Sequence, residues 1–382
     1  MNPHIYLTDE QQIKSVESLK RVDQKGMLYE MDCTWDYYNL SSEFETLLNP
    51  GCSTFFTKNH EGEHIFCRNY DYRHYKDNKR SNPMTALEVI CRMNNPKAKY
   101  RSIGVADAIW LDFKNGSIYE GVVEDGVTDL SAFALTPYVC MDGMNEMGLA
   151  VSVMALVVNP DWNEIDYDTY KEKLDPEKEN FELTVAGELP DNENRKAEIG
   201  SITYNTIDKK AWVCSKKMIR TNEPGKKSVL HPVLMRMMLD YCANVDEAVG
   251  LAHQYNIMNP MPGTDNHILV SDKSGASKII EWIDGKLVTM DINHSTNYRL
   301  TADDIFHGEC PRDEMIVAGL KRTETAGMSE EYATKLMSLI AQYPEEGNDK
   351  SKTLHSCLYN LDRLTVKVFS VGDFTKAYEY KL

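Results

Sequence analysis

Strand-like runs that come in pairs, each pair joined by a tight turn, limit what this chain can fold into more than any other feature. STFFTKN and HIFCRNYDY are rich in aromatic and β-branched residues and are separated by a turn centred on Glu61-Gly62. HILVSD, SKIIEWI and KLVTMDI follow one another with turn signals at Lys273-Ser274-Gly275 and Asp284-Gly285. TLHSCLYNLD and LTVKVFSVG close the chain as a hairpin. SIGVADAIWLDF and GLAVSVMALVV read as further strands, the second nearly all apolar and so buried on both faces. Residues 230–256 carry apolar residues at helical spacing, as two consecutive helices would, and residues 311–342 read as helical again. Hairpins inside the strand blocks call for antiparallel sheets, and the helical pairs must cover their faces. The expected fold class is α+β, a four-layer αββα sandwich of antiparallel sheets; a doubly wound parallel sheet does not fit the order.

Composition narrows function by exclusion. A net charge of −17 argues against a nucleic-acid partner, which needs clustered Lys and Arg, and against docking on an anionic membrane surface. No run of 18 apolar residues occurs, so no spanning helix is expected. The first thirty residues contain no signal-peptide core. A cytoplasmic location is the default. Nine cysteines, odd in number and without CxxC, fit a reducing compartment in which most are packing residues. HExxH, an EF-hand loop and Gly-rich phosphate loops are absent, so neither metal nor cofactor is expected. The methionine-rich run LMRMMLDY reads as core or as a partner-facing helix, and a homo-oligomer is expected.

Residues 1–50 read as a polar leader, partly helical over 8–24, that ends in Leu47-Leu48-Asn49-Pro50-Gly51. Pro-Gly there signals a chain boundary or a sharp turn. Acid-dense residues 158–200 read as a surface excursion or lid.

The chemistry lies in the first hairpin. With its turn near Glu61, residues whose numbers sum to about 122 lie opposite one another. Cys52 then faces Tyr70, beside Arg68 and Asp71. A guanidinium beside a thiol favours the thiolate, and a carboxylate there can hold an ammonium group. The intact chain has no ammonium at residue 52. Cleavage of the Gly51–Cys52 bond creates one, with a reference pKa of about 7.7–8.0. Such an amine takes the proton of its own side chain without a histidine. Gly51 offers no side chain to shield its carbonyl from the Cys52 thiol, and the thioester so formed is resolved by water. In a perfectly regular strand, positions 68 and 71 face opposite sides, so both reach the thiol only if the strand twists or ends at Tyr70. A papain-like set using His64, His267 or His355 competes, but nothing in the sequence orders those rings around a thiol.

GCSTFFTKNHEGEHIFCRNYDYRH resembles the start of the mature chain in the choloylglycine hydrolase and penicillin V acylase family, whose relatives include acyl-CoA:penicillin acyltransferase-like proteins and acid ceramidases. The Arg68-Asn69-Tyr70-Asp71-Tyr72 strand end lies 16 and 19 residues from Cys52, counted to Arg68 and Asp71, as in the family. Asp142-Gly143-Met144-Asn145-Glu146-Met147-Gly148-Leu149 resembles its DGxNExGL turn, His267 to Gly275 with Ile280-Glu281 its later hairpin, and Thr296-Asn297 its Thr-Asn. Thr353 to Asp362 resembles the closing strand of the acyltransferase-like branch. The resemblance implies an N-terminal-nucleophile (Ntn) hydrolase fold over residues 52–382 after a leader of residues 1–51. It further implies hydrolysis of a linear amide C–N bond in a small-molecule N-acyl substrate through a Cys52 thioester, after self-cleavage at Gly51–Cys52. By the same resemblance, Asp71 orients the α-ammonium, Arg68 stabilises the thiolate, and Asn145 and Asn297 form the oxyanion hole. The family's second arginine has a loose candidate in Arg312, with Arg299 competing. Acyl transfer to an amine, or a non-catalytic binding protein on the same fold, are the alternatives.

Overall fold

The computed structural model describes residues 7, 9–24, 27–39, 51–73, 88–108, 131–156, 163–166, 180–183, 199–205, 210–215, 223–257, 265–283, 286–301, 310–343 and 351–382. Strands and helices are numbered along the chain.

A nine-stranded sheet has the spatial order β1 (Lys20–Arg21), β2 (Leu28–Cys33), β5 (Glu88–Met93), β6 (Ser102–Asp107), β7 (Cys140–Asn145), β8 (Leu149–Leu156), β15 (Asp265–Asp272), β16 (Ser277–Ile283), β17 (Lys286–Asp291). A six-stranded sheet has the order β18 (His294–Ser295), β3 (Gly51–Lys58), β4 (His64–Arg73), β19 (Ser351–Asn360), β20 (Thr365–Ser370), β21 (Tyr378–Lys381). Helix α1 (Glu10–Glu17) lies against β2. Helices α2 (His231–Tyr241) and α3 (Val245–Ala252) cover the first sheet at β7, β8, β15 and β16. Helices α4 (Pro311–Thr323) and α5 (Glu330–Ile340) cover the second at β3, β4, β18 and β19. The two sheets meet where β3 touches β8. Helices, sheet, sheet, helices: the four layers expected from the sequence are present. No described helix is long and apolar enough to cross a membrane.

The strand period of two sorts the side chains between layers. Cys52, Phe56, Phe66, Tyr70 and Tyr72 join the large core between the sheets. Their neighbours Phe55, Ile65 and Cys67 turn the other way and pack with Ile316, Leu336, Met337 and Ile340 of the helices. Both faces of this hairpin are therefore buried, which explains its nearly continuous apolar runs.

Three features depart from expectation. The sheets are not wholly antiparallel: β2 runs parallel to β5, as does β13 (Lys227–Val229) to β14 (Tyr255–Ile257). Between β2 and β5 the chain leaves for the β3–β4 hairpin in the other sheet, the long excursion that a parallel pair needs. The segment before Cys52 is not merely polar. Leu28, Met31, Cys33, Trp35 and Tyr37 are buried in the main core, interleaved with Glu30 and Asp32, whose charges are met by Lys20 and Arg92. The acidic stretch contributes β9 (Asn163–Asp166) and β10 (Asn180–Leu183), which form an antiparallel sheet with β11 (Ile199–Asn205) and β12 (Lys210–Ser215) from the residues that follow it. The ITYN and WVC runs within it have strand composition, outweighed by the surrounding charge.

Candidate functional site

The β3–β4 turn sets the register. Asn59 Oδ1 accepts from the backbone N–H groups of Glu61 and Glu63, and Gly62 takes the positive φ, 83°, that the reversal demands. Every partner pair then has the expected sum, from Gly51 opposite Asp71 and Cys52 opposite Tyr70 to Lys58 opposite His64.

Cys52 is fully buried, and Arg68 from the same face of β4 places Nη2 2.8 Å from its Sγ. The same nitrogen donates to Val153 O of β8 at 2.6 Å, which ties the guanidinium to the opposing sheet. Asp71 lies on the other face, as the strand period requires, and its carboxylate does not touch the sulfur. It accepts from Thr353 Oγ1, from Gln342 Nε2 at 3.1 Å and from Arg312 Nη1 at 3.1 Å.

Arg312 joins these parts. Pro311 opens α4 and puts residue 312 in its first turn, a position that suits proline's fixed φ. From there Nη1 also donates to Cys52 O at 3.1 Å, and Nη2 to Asn297 Oδ1 at 2.7 Å. Asn297 Oδ1 accepts as well from the backbone N–H of Cys52 at 2.7 Å, while its Nδ2 donates to Ala155 O at 2.6 Å. Residue 52 is thus held at sulfur, nitrogen and carbonyl oxygen by Arg68, Asn297 and Arg312. Arg299, the competitor, instead donates to Trp282 O.

Asn145 does not join them. It sits at the β7–β8 turn, where Nδ2 donates to Leu239 O and Cys242 O at the end of α2, and Oδ1 accepts from Met147 N and Leu149 N. Its hydrogen bonds are spent on backbone, as in an ordinary turn asparagine. The structure therefore does not bring Asn145, expected as an oxyanion donor, together with Cys52, Arg68, Asn297 and Arg312.

The histidines of the papain-like alternative are likewise engaged elsewhere. His64 bonds Asp362, His267 bonds Glu281 and Thr296 O, and His355 lies between Glu88 and Asp142. His267 has an indirect part in the site. It and Glu281, which also accepts from Leu300 N and Thr301 N, hold the loop that carries Asn297.

Electrostatics correct the expectation of a ready thiolate. Burial pushes the Cys52 thiol up, and Arg68 with the Asp71 N–H offsets this only in part. In the continuous chain this keeps the Cys52 thiol protonated. Burial also raises the Asp71 carboxyl against the pull of Arg312, Thr353 and Arg68. Burial acts on His355 the other way, but Asp142 and Glu88 outweigh it and push the imidazole up to about 10.

Thr353, Gln342, Asp142 and Glu88 lie around the site without having been assigned roles from sequence, and His355, weighed only for a papain-like set, lies there in a different setting. Asp142, Thr353 and His355 stand inside the DGMNEMGL and TLHSCLYNLD motifs, which was the available signal. Asp142, His355 and Cys357 bring ligand-type atoms within 4.8 Å of one another. Both ring nitrogens of His355 point protons at carboxylates, so neither offers a lone pair to a metal.

No family model matches the chain, and no curated protein matches it in sequence. Solved structures do resemble it. A point variant of conjugated bile acid hydrolase from Clostridium perfringens is 12% identical over 86% of this chain and 92% of that one, with a TM-score of 0.48. A second variant of that hydrolase is 12% identical over 87% and 92%, with the same score of 0.48. Penicillin V acylase from Agrobacterium tumefaciens is 15% identical over 84% of this chain and 83% of that one, with a TM-score of 0.38. The four layers define the fold, and the contacts around Cys52 define the site.

Proposed function

We propose that the chain is a cysteine Ntn amidohydrolase of the choloylglycine hydrolase and penicillin V acylase type, made active by its own cleavage at Gly51–Cys52. The observation that carries this is the grip on one residue. Arg68 meets the sulfur at 2.8 Å, Asn297 the backbone nitrogen at 2.7 Å and Arg312 the carbonyl at 3.1 Å. Any buried residue needs partners for its N–H and C=O; what supports a nucleophile here is that side chains supply them and that a guanidinium meets the sulfur as well.

In the first step Sγ attacks the Gly51 carbonyl carbon, the C–N bond to residue 52 breaks, and the thiol proton passes to the departing nitrogen. Water then hydrolyses the thioester, which leaves a Gly51 carboxylate, a free thiol and a free α-amine. In turnover that amine takes the thiol proton, sulfur attacks the substrate amide, and the proton goes to the leaving amine. Water cleaves the acyl-thioester. Asn297 Oδ1, already on the residue 52 nitrogen, orients the amine; Arg68 stabilises the thiolate once water reaches the opened site.

Intact-mass measurement of purified protein tests this. A new N-terminus at Cys52, abolished by Cys52→Ala, together with amine release from a panel of N-acyl amides, is the expected result. An uncut chain that releases no amine from any member of the panel refutes it.

A further inference from the structure

A buried group of charges stands behind Arg68. His355 donates from Nδ1 to Glu88 Oε2 at 2.6 Å and from Nε2 to Asp142 Oδ2 at 2.7 Å, with all three side chains fully buried. Asp142 Oδ2 is also the carboxylate oxygen that faces Arg68, yet it stands 3.8 Å from Arg68 Nε, and that Nε makes no hydrogen bond among the described residues. A carboxylate and a guanidinium left to themselves close to a bidentate pair. Here the imidazole occupies the shared oxygen and the pair stays open.

We propose that His355 is a positioning residue for Cys52: by holding Asp142 off Arg68, it leaves the guanidinium free to serve the thiol. One contact fixes the ring and another fixes Asp142. Tyr70, opposite Cys52 in the hairpin, stacks on it with centroids 4.9 Å apart and is anchored through its hydroxyl to Asp107. Tyr359 donates its hydroxyl to the other oxygen of Asp142. The remaining titratable neighbours are Cys357 on the strand of His355, and Asp71 and Arg312 beyond Cys52. A cationic ring offsets the excess of carboxylates around it, Asp142 and Glu88 with Asp107 opposite Glu88, against Arg68 alone; burial pushes the Glu88 carboxyl up and His355 opposes that. Burial pushes the Asp142 carboxyl up, but His355 and Arg68 outweigh it and hold it below the usual range, which fits a carboxylate shared between two cations. Without the imidazolium, Asp142 falls to Arg68 alone and draws the positive charge from the sulfur.

The consequence for catalysis rests on Cys52 being the nucleophile, but the test does not require turnover. Thiolate absorbance of the full-length chain is followed against pH, and the difference from Cys52→Ser isolates the Cys52 midpoint whether or not the chain cuts itself. His355→Gln is expected to raise that midpoint by about one unit. The double variant D142N/H355Q removes the anion along with the cation and is expected to restore it to within a few tenths. Thermal unfolding accompanies each variant. An unchanged midpoint in His355→Gln, or equal rises in the single and double variants, overturns the proposal. If His355→Gln does not fold, Asp142→Asn decides: a lowered midpoint supports the proposal, and a raised or unchanged one refutes it.

Discussion

Replacing Arg68 by methionine isolates the contact on which the proposed chemistry depends. Arg68 is fully buried, with Nη2 shared between Cys52 Sγ at 2.8 Å and Val153 O at 2.6 Å. Burial already holds the thiol up in the continuous chain, and methionine removes the cation that opposes it. A hydrogen bond to a charged group contributes about 1.5–3 kcal/mol. If that stabilisation is felt by the attacking thiolate, self-cleavage slows by roughly 10- to 150-fold. Stability falls too, because Val153 O loses its donor, a cost of about 1–3 kcal/mol; Asp142 keeps His355 as a partner. The two effects separate by assay. Cell-free translation followed by an intact-mass time course reads the cleavage rate, and urea unfolding of uncut protein reads stability. Arg68→Lys keeps the charge but has no fork to span both acceptors, and falls between. A folded Arg68→Met that cuts at the parental rate shows that the guanidinium does not serve the thiol, and the assignment of Cys52 loses its main support.

Further outcomes follow from the same contacts. Asn145→Ala strips two α2 carbonyls and two turn N–H groups of partners, so urea unfolding should show a loss of about 2–4 kcal/mol while the cleavage rate per folded molecule stays unchanged; a selective loss of rate would return Asn145 to the oxyanion hole. Stability should also depend on pH at both ends. Glu281 is pushed up by burial but drawn down further by His267 and Thr301 to about 2, below the ordinary 4.5, so its contribution is complete above pH 4.5 and is lost as pH falls toward 2. His355, raised from 6.5 to about 10, contributes fully below 6.5 and loses that contribution as pH rises toward 10. Urea midpoints across pH should therefore fall on both limbs, with Glu281→Gln flattening the acid limb and His355→Gln the alkaline one. Residues before the cut should stay bound after it. The buried apolar side chains Leu28, Tyr29, Met31, Cys33, Trp35 and Tyr37 represent on the order of 10 kcal/mol of burial before ordering costs, so size exclusion of processed protein should carry both fragments together until denaturant is added.

What the residues disclosed, and what they withheld, follows distance along the chain. The hairpin register was legible because its turn residues are local: Asn59 and Gly62 determine the reversal, and a period of two carries Cys52 and Arg68 to one face. The layers were legible for the same reason, since hairpins and helical pairs are short-range patterns. The thiol's ionisation was not. A motif names its partner, Arg68, but burial is the larger influence and belongs to the assembled core. The partners of Asn145 were not legible either: a DGxNExGL pattern specifies a turn, and its asparagine is bonded to the turn N–H groups and to the carbonyls at the end of α2. β2 was hidden by the alternation of apolar residues with Glu30 and Asp32, whose partners come from β1 and β5.

Asp71 shows how far local periodicity can be trusted. Strand geometry places it on the face opposite Arg68, and on that ground both could reach residue 52 only through a twist or an early strand end. The structure keeps the strand running to Arg73 and keeps the faces apart. Connection comes instead from the helical layer, where Arg312 spans from the Asp71 carboxylate to the carbonyl of Cys52 and to Asn297. Those contacts join residues 241 and 260 positions apart for the first two, a separation at which no spacing pattern carries information. Arginine also suits the place for a reason lysine does not share: three acceptors at different angles need a planar fork with several donors. Arg312→Lys should accordingly slow self-cleavage in the intact-mass time course even with the charge retained, because a single ammonium cannot couple Asp71 to both Asn297 and the Cys52 carbonyl. Arg299→Lys, at a side chain that donates to Trp282 O and not to residue 52, should leave the rate as it was. Equal slowing in the two variants would mean that positive charge near the site, and not the fork of Arg312, is what matters.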